Sequence, residues 1–172
     1  MDTLISNNQP APDFTLHDLA GSAHSLGSLR GKIAIINFWS AECPHAARTD
    51  QILLTYLQKW GKKVELLSIA SNANETVEQI QRAATERGLP LVLLDPQQQV
   101  ANLYGAITTP HLFVVDTEGT LRYQGALDDV TFRQRQPTRF YLRQAVDAVL
   151  ARREPDPDLT QAYGCAVVRY AL

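Results

Sequence analysis

The stretch Ile33-Ala34-Ile35-Ile36-Asn37-Phe38-Trp39-Ser40-Ala41-Glu42-Cys43-Pro44 decides the reading of this chain. Its first seven residues are apolar apart from Asn37, the pattern of a strand buried on both faces. Beyond the proline, Ile52, Leu53, Tyr56, Leu57 and Trp60 recur at helical spacing, and Gly61 supplies the stop. Proline favours the first helical position, so Cys43 falls at or beside the cap of a helix that leaves a buried strand. Backbone N–H groups left over at such a cap, together with the helix macrodipole, favour a negative charge. Both effects lower a thiol pKa, and the thiolate is the reactive form. His45 adds to this when protonated; Glu42 opposes it as a neighbouring carboxylate. The competing reading is a buried, inert cysteine.

Working outward, residues 1–12 read as a loose arm ending in Pro10-Ala11-Pro12. Phe14-Thr15-Leu16 and Ala23 to Leu26, around a turn at Gly21, read as a short hairpin. Val64 to Ala70 is a second buried strand. Asn72 or Asn74 caps a helix over roughly 75–87, ended by Gly88. A short strand at Leu91 to Leu94 and a short helix at Gln97 to Tyr104 follow. Leu112 to Val115 and Leu121 to Gln124 pair across a turn at Glu118-Gly119. The last long helix runs over 138–152. Strands alternating with helices predict an α/β fold with a central mixed sheet flanked by helices, an N-terminal β-hairpin and a C-terminal tail carrying the second cysteine. The expected organisation is an arm (1–12), one domain (13–152) and a tail (153–172) that packs on it.

The 172 residues suit a single domain, large enough to fold without a staple. Apolar residues are 45% and charged residues 20%, with a net charge of −2, so there is no electrostatic footprint for nucleic acid or anionic lipid. No apolar run is long enough to span a bilayer, and the first residues lack a signal-peptide pattern, so a cytoplasmic location is expected. With only two cysteines, Cys43 and Cys165, a multi-bridge scaffold and a four-thiolate zinc site are excluded.

Phe38-Trp39-Ser40-Ala41-Glu42-Cys43-Pro44 resembles the thioredoxin active-site segment. Ala11-Pro12-Asp13-Phe14-Thr15-Leu16 resembles the opening of the redoxins, the alkyl hydroperoxide reductase/thiol-specific antioxidant family. Tyr104 to Asp116 is similar to that family's cis-proline loop and following strand. Gly125-Ala126-Leu127-Asp128-Asp129 and Gly164-Cys165 resemble landmarks of a peroxiredoxin-like branch. The resemblance implies a thioredoxin-like fold and a redox-active Cys43. It also implies a cis bond before Pro110, with the Thr109 backbone facing substrate as a neighbouring strand would. Trp39, Ser40 and Pro44 complete the expected substrate-binding set, Trp39 either shielding the thiol or filling the core.

The departures bear on activity. Ala46 stands where a thioredoxin has its second cysteine, so a local dithiol cycle is ruled out. Asn37 replaces the family's buried acid. Ser40 keeps a hydroxyl where peroxiredoxins have threonine, Ile36 replaces their proline, and the flanking arginine is missing near Pro110. Strong peroxidase activity is therefore not implied. Turnover needs a second thiol to resolve the mixed species, and Cys165 is the only internal candidate, provided the two Cα atoms come within about 7 Å.

The leading expectation is a thiol-dependent oxidoreductase with Cys43 and Cys165 as catalytic residues. It would act by thiol–disulfide exchange or as a weak thiol peroxidase, with an external thiol reductant of thioredoxin or glutathione type and no bound organic cofactor. Two alternatives stand beside it. One is a copper- or zinc-binding module using Cys43 and His45 or His111, with or without Cys165, although their spacing matches no metal motif. The other is a redox-inert interaction domain. Asp128-Asp129 reads as a loop or cap feature.

Overall fold

The computed structural model describes residues 5–171. Strands β1 (Thr15–Asp18), β2 (Ala23–Ser25), β3 (Ile33–Trp39), β4 (Val64–Ala70), β5 (Val92–Leu94), β7 (His111–Val115) and β8 (Leu121–Gly125) form one sheet in the order β2-β1-β5-β4-β3-β7-β8. A separate two-stranded sheet joins β6 (Thr108–Thr109) to β9 (Cys165–Ala166). The helices are α1 (Pro44–Trp60), α2 (Val77–Arg87), α3 (Gln99–Tyr104) and α4 (Tyr141–Leu150). β3, β4 and β5 run parallel to one another, while β7 runs antiparallel to β3, which makes the sheet mixed. No helix among the described residues is long and apolar enough to cross a membrane.

β3 is buried along its whole length because both of its faces are covered. Ile33 and Ile35 pack with Leu53 of α1 and with Leu142 and Val146 of α4. On the opposite face Ile36 and Phe38 pack with Leu93, Val100 and Tyr104. Phe38 lies edge-on to Phe113 at 5.7 Å and tilted against Tyr104 at 6.0 Å. Fully burying side chains of this size contributes roughly 1.5–3 kcal/mol each, so the strand before Cys43 is held at many points. In the β3–β7 register Phe38 faces His111, so the residues entering β7 arrive beside the turn into α1. That register sets the position of the site.

Several boundaries differ from the sequence expectation. The cap of α2 is Thr76, not Asn72 or Asn74: its hydroxyl accepts from the Gln79 N–H while the Gln79 side chain accepts from the Thr76 N–H. α4 begins at Tyr141 and not at 138, because the Thr138 and Arg139 amides donate to the Asp129 carboxylate instead of entering a helix. Residues 8–11 are not loose: Asn8 and Ala11 donate to the Leu121 and Gly119 carbonyls, and Leu121 donates to Gln9.

Candidate active site

Cys43 occupies the N-cap of α1 with extended backbone (φ −80°, ψ 121°), and Pro44 follows at the start of the helix, as its sequence position predicts. The Ala47 N–H donates to the Cys43 carbonyl at 3.0 Å and closes the first turn. Cys43 is joined to Cys165, with the Cα atoms 6.2 Å apart, a separation a disulfide spans without moving backbone. Cys43 is only 3% exposed, and the bonded Cys165 packs against the buried cluster that holds it. Glu42, which opposes a thiolate, has its carboxylate bonded by the Gln79 side-chain amide on α2.

Facing this sulfur is the loop that enters β7. The Thr109–Pro110 bond is cis, and the Thr109 carbonyl oxygen lies 3.0 Å from the Cys43 sulfur. The Thr109 backbone, expected to face substrate, pairs instead with Cys165, and Thr108 pairs with Ala166. Gly164 is packed so close to this ladder that a Cβ there would collide with the Thr109 carbonyl. The strand-pairing slot beside Pro110 is thus filled by the chain's own tail.

The turn from β3 into α1 is braced by Glu75, Arg87 and Asp50, which the sequence reading did not single out. Ser40 donates its hydroxyl to Glu75 at 2.8 Å, and the Ala41 N–H donates to the same carboxylate. Arg87, in the last turn of α2, donates to the Ser40 and Ala41 carbonyls, so both faces of the turn are bonded. Arg87 also pairs with Asp50 at 3.1 Å and lies 5.2 Å over the Trp39 ring. Trp39 is fully buried and donates its Nε1–H to Asp50 at 2.7 Å, so it backs Cys43 from inside the fold. Burial raises the Asp50 pKa against the pull of Trp39 and Arg87. Asn37 and Ser68, opposite each other in the β3–β4 register, are both fully buried.

His111 is buried, which pushes its pKa down to about 4, and its Nδ1 accepts from the Ile107 N–H at 3.3 Å, so the ring is neutral and supports the loop. His45 stacks edge-on to Tyr163 of the tail at 5.2 Å. A small cleft beside Pro110 is lined by His45, Arg48, Leu127, Asp128 and Tyr163. Asp128 is buried and paired with Arg48 at 2.7 Å, whereas Asp129 accepts from Thr138, Arg139 and Gln134. Among the described residues no group of three or more His, Cys, Asp or Glu side chains gathers as metal ligands do.

Two of the unanticipated residues left a trace in the sequence. Asp50 interrupts the buried stripe Ala46, Leu53 of α1, and an acid in such a stripe calls for a partner. Thr76-x-x-Gln79 is a capping-box pattern that puts Glu75 at the turn before α2. Arg87 left none, since its partners Ser40, Ala41 and Asp50 are remote in sequence.

The family model described as AhpC/TSA matches residues 8–124. The thiol-disulfide oxidoreductase ResA of Geobacillus thermodenitrificans is 34% identical over 124 residues, covering 70% of this chain and 69% of that protein. A hypothetical protein of Sinorhizobium meliloti 1021 superposes with a TM-score of 0.88 at 29% identity, covering 98% of this chain and 97% of that one. The thioredoxin domain of a thiol-disulfide oxidoreductase of Bacteroides vulgatus superposes at 0.63 and 22% identity, covering 76% and 93%, and shares the fold. A buried strand turning into a helix at a cysteine, a cis-proline loop across from it and these matches agree: the chain belongs to the AhpC/TSA family, has the thioredoxin-like fold, and is homologous to ResA-type thiol-disulfide oxidoreductases.

Proposed function

We propose that the chain is a thiol–disulfide oxidoreductase in which Cys43 is the attacking thiol and Cys165 resolves the mixed disulfide. The Cys43 thiolate attacks one sulfur of a substrate disulfide, and the other sulfur leaves as a thiolate. Cys165, deprotonated, then attacks the Cys43 sulfur and expels the second substrate thiolate, leaving Cys43–Cys165 as the disulfide. Two electrons have passed to the substrate, and its two thiolates take up two protons. An external thiol donor returns two electrons and two protons to the cysteine pair. Family relatives named for thiol–disulfide exchange support this reading. The single observation that carries it is the pairing of the helix-capping Cys43 with Cys165 at a Cα separation of 6.2 Å.

Exchange with a disulfide is favoured over peroxide reduction by the setting of Ser40. The hydroxyl that would hold a peroxide beside the sulfur is donated to Glu75. The test is steady-state turnover with dithiothreitol as donor, comparing a peptide disulfide with hydrogen peroxide. Disulfide reduction that disappears in Cys43→Ser, with peroxide consumed at least about 100-fold more slowly, is expected, since removing the nucleophile removes the covalent route. Turnover unaffected by Cys43→Ser contradicts the reading.

A further inference from the structure

The net charge of −2 is unevenly spread along the chain. Between Asp129 and Asp147 stand Arg133, Arg135, Arg139 and Arg143, with no acidic residue among them. Arg143 lies in the first turn of α4, and the other three lie on the loop that leads to it. That loop is closed at its neck. The Asp129 N–H donates to the Arg139 carbonyl at 3.2 Å, and the Asp129 carboxylate accepts from the Thr138 N–H, the Arg139 N–H and the Gln134 side chain. Thr131 and Gln134 exchange two backbone bonds of 2.9 and 3.2 Å, which places Phe132 and Arg133 at the tip of a tight turn. None of these bonds uses a guanidinium group.

The arginines are held instead by rings. Arg133 lies over Phe132 at 5.5 Å, Arg139 over Tyr141 at 5.2 Å and Arg143 over Phe140 at 4.5 Å. A ring under a planar guanidinium restrains it and leaves its N–H edge open, the edge that meets a carboxylate in a two-bond fork. Arg48, Arg87 and Arg122 each have a carboxylate partner, whereas among the described residues none of these four does. The flanking acids are engaged elsewhere, Asp129 at the loop neck and Asp147 by Trp60 Nε1 at 2.9 Å. Phe132 is 73% exposed between cations, and exposed aromatic and arginine side chains are those that carry most energy at protein interfaces. The loop also adjoins the redox centre. Val130 lines the same cleft as Pro110 and Tyr163, and the Thr109 carbonyl before that proline touches the Cys43 sulfur.

We propose that the loop from Val130 to Arg139, together with Arg143, is a docking surface for an acidic thiol-donor protein, one whose reactive cysteines are flanked by aspartate or glutamate. This rests on the exchange chemistry proposed above and names its electron donor by charge. The pair is oxidised in this structure, so the partner that meets the surface in this state is the one that reduces it. Reduction transfers two electrons and two protons from the donor dithiol to the two sulfurs; the Cys43–Cys165 bond breaks, two thiols form, and the donor closes its own disulfide. Carboxylates around the donor thiols are drawn to the open guanidinium edges over about 10 Å at moderate salt, which raises the rate of encounter and fades as salt screens it. An anionic membrane or a nucleic acid would satisfy the same edges, but neither brings a thiol to the cleft at the loop neck.

The test uses the full oxidised chain, wild type and the double variant Arg133→Gln/Arg135→Gln. Both side chains are exposed and take no part in the bonds that shape the loop. The donors are two dithiol peptides of one length, their cysteines flanked by glutamates in the first and by glutamines in the second, with uncharged dithiothreitol as the standard for each protein. The rate with the glutamate peptide is divided by the rate with the glutamine peptide, and this ratio is compared between the two proteins, so that the intrinsic reactivity of the peptides cancels. At about 20 mM salt the ratio should be about five-fold higher in the wild type than in the variant, and at about 500 mM salt the two should agree within about two-fold. Equal ratios at low salt overturn the proposal. Vesicles of phosphatidylcholine with phosphatidylserine, and a DNA duplex, are offered to both proteins in parallel; binding that the variant loses, with equal peptide ratios, assigns the loop to one of those surfaces and overturns it too. A chain that no thiol reduces, dithiothreitol included, refutes the exchange chemistry and this inference with it. One that every donor reduces with equal ratios refutes this inference alone.

Discussion

Cys43 follows, across a short turn, a strand whose seven residues are all buried and caps a helix packed through Leu53, whereas Cys165 lies on a two-residue strand flanked by half-exposed chain. The first sulfur is positioned by apolar burial on both faces of the sheet and by the Glu75 and Arg87 braces. The second is positioned by hydrogen bonds and by the bond to Cys43 itself. Ordering backbone costs about 1–2 kcal/mol per residue, and a hydrogen bond returns about 0.5–1.5 kcal/mol net. A strand held in this second way sits near balance, while the core around β3 does not. The nucleophile is fixed; its resolving partner is conditional.

The largest effect expected from this contrast is on the core side. Phe38→Ala leaves a cavity against Tyr104 and Phe113 and should cost about 3–5 kcal/mol in urea unfolding. A loss below about 1 kcal/mol would break the contrast at its rigid end.

Acid acts next. His111 is held neutral by burial, with a pKa of about 4 against an ordinary 6.5. Between those values the unfolded chain takes up a proton that the folded chain does not. Stability contributed by the neutral ring is therefore present above pH 6.5 and lost as pH falls toward 4, by about 3 kcal/mol in all. Asp50, whose pKa burial raises, works in the opposite direction, because its folded form holds a proton longer as pH climbs. Comparing wild type with His111→Asn isolates the histidine: the fall in stability between pH 7 and pH 4.5 should be smaller in the variant, and an identical fall refutes the assignment.

Arg87→Ala removes the partner of a fully buried carboxylate and the donor to the Ser40 and Ala41 carbonyls. About 2–3 kcal/mol should be lost, below the cost of breaking a wholly buried pair because Arg87 itself is partly exposed. Asp50→Asn added to Arg87→Ala should restore part of that loss, since the unpaired charge is gone. The smallest effect is expected in the tail. Tyr170→Phe deletes a hydroxyl donated to the Pro96 carbonyl at 2.7 Å and should change stability by less than about 1 kcal/mol. Yet in the reduced protein it should speed exchange at 165–168. No change there would sharpen the contrast differently, placing the tail's anchor wholly in its main chain.

What sequence made legible follows the same division. The period of the apolar residues located β3 and β4 to the residue, because strands buried on both faces need continuous apolar runs. Pro44 and Gly61 bounded α1 for reasons local to the backbone. Cys43 at a cap was readable for the same reason. Thr108–Thr109 pairing with Cys165–Ala166 was not, since two-residue strands carry no periodicity and their partners are chosen by tertiary approach. Gln98 read as part of a short helix, and its role emerges only where the loop after β5 meets the tail. The resemblance to redoxins supplied the cis-proline and pointed to Thr109, but not the occupant found beside it.

The account stands on Cys43 attacking first and Cys165 completing the exchange. Intact-mass analysis of fully reduced wild type and Cys165→Ser, each mixed with one equivalent of a peptide disulfide, tests it most directly. The wild type should finish two hydrogens lighter with no adduct, and Cys165→Ser should stop as a peptide adduct mapped to Cys43. A persistent adduct on the wild type, or an adduct on Cys165 with Cys43 unmodified, would contradict it.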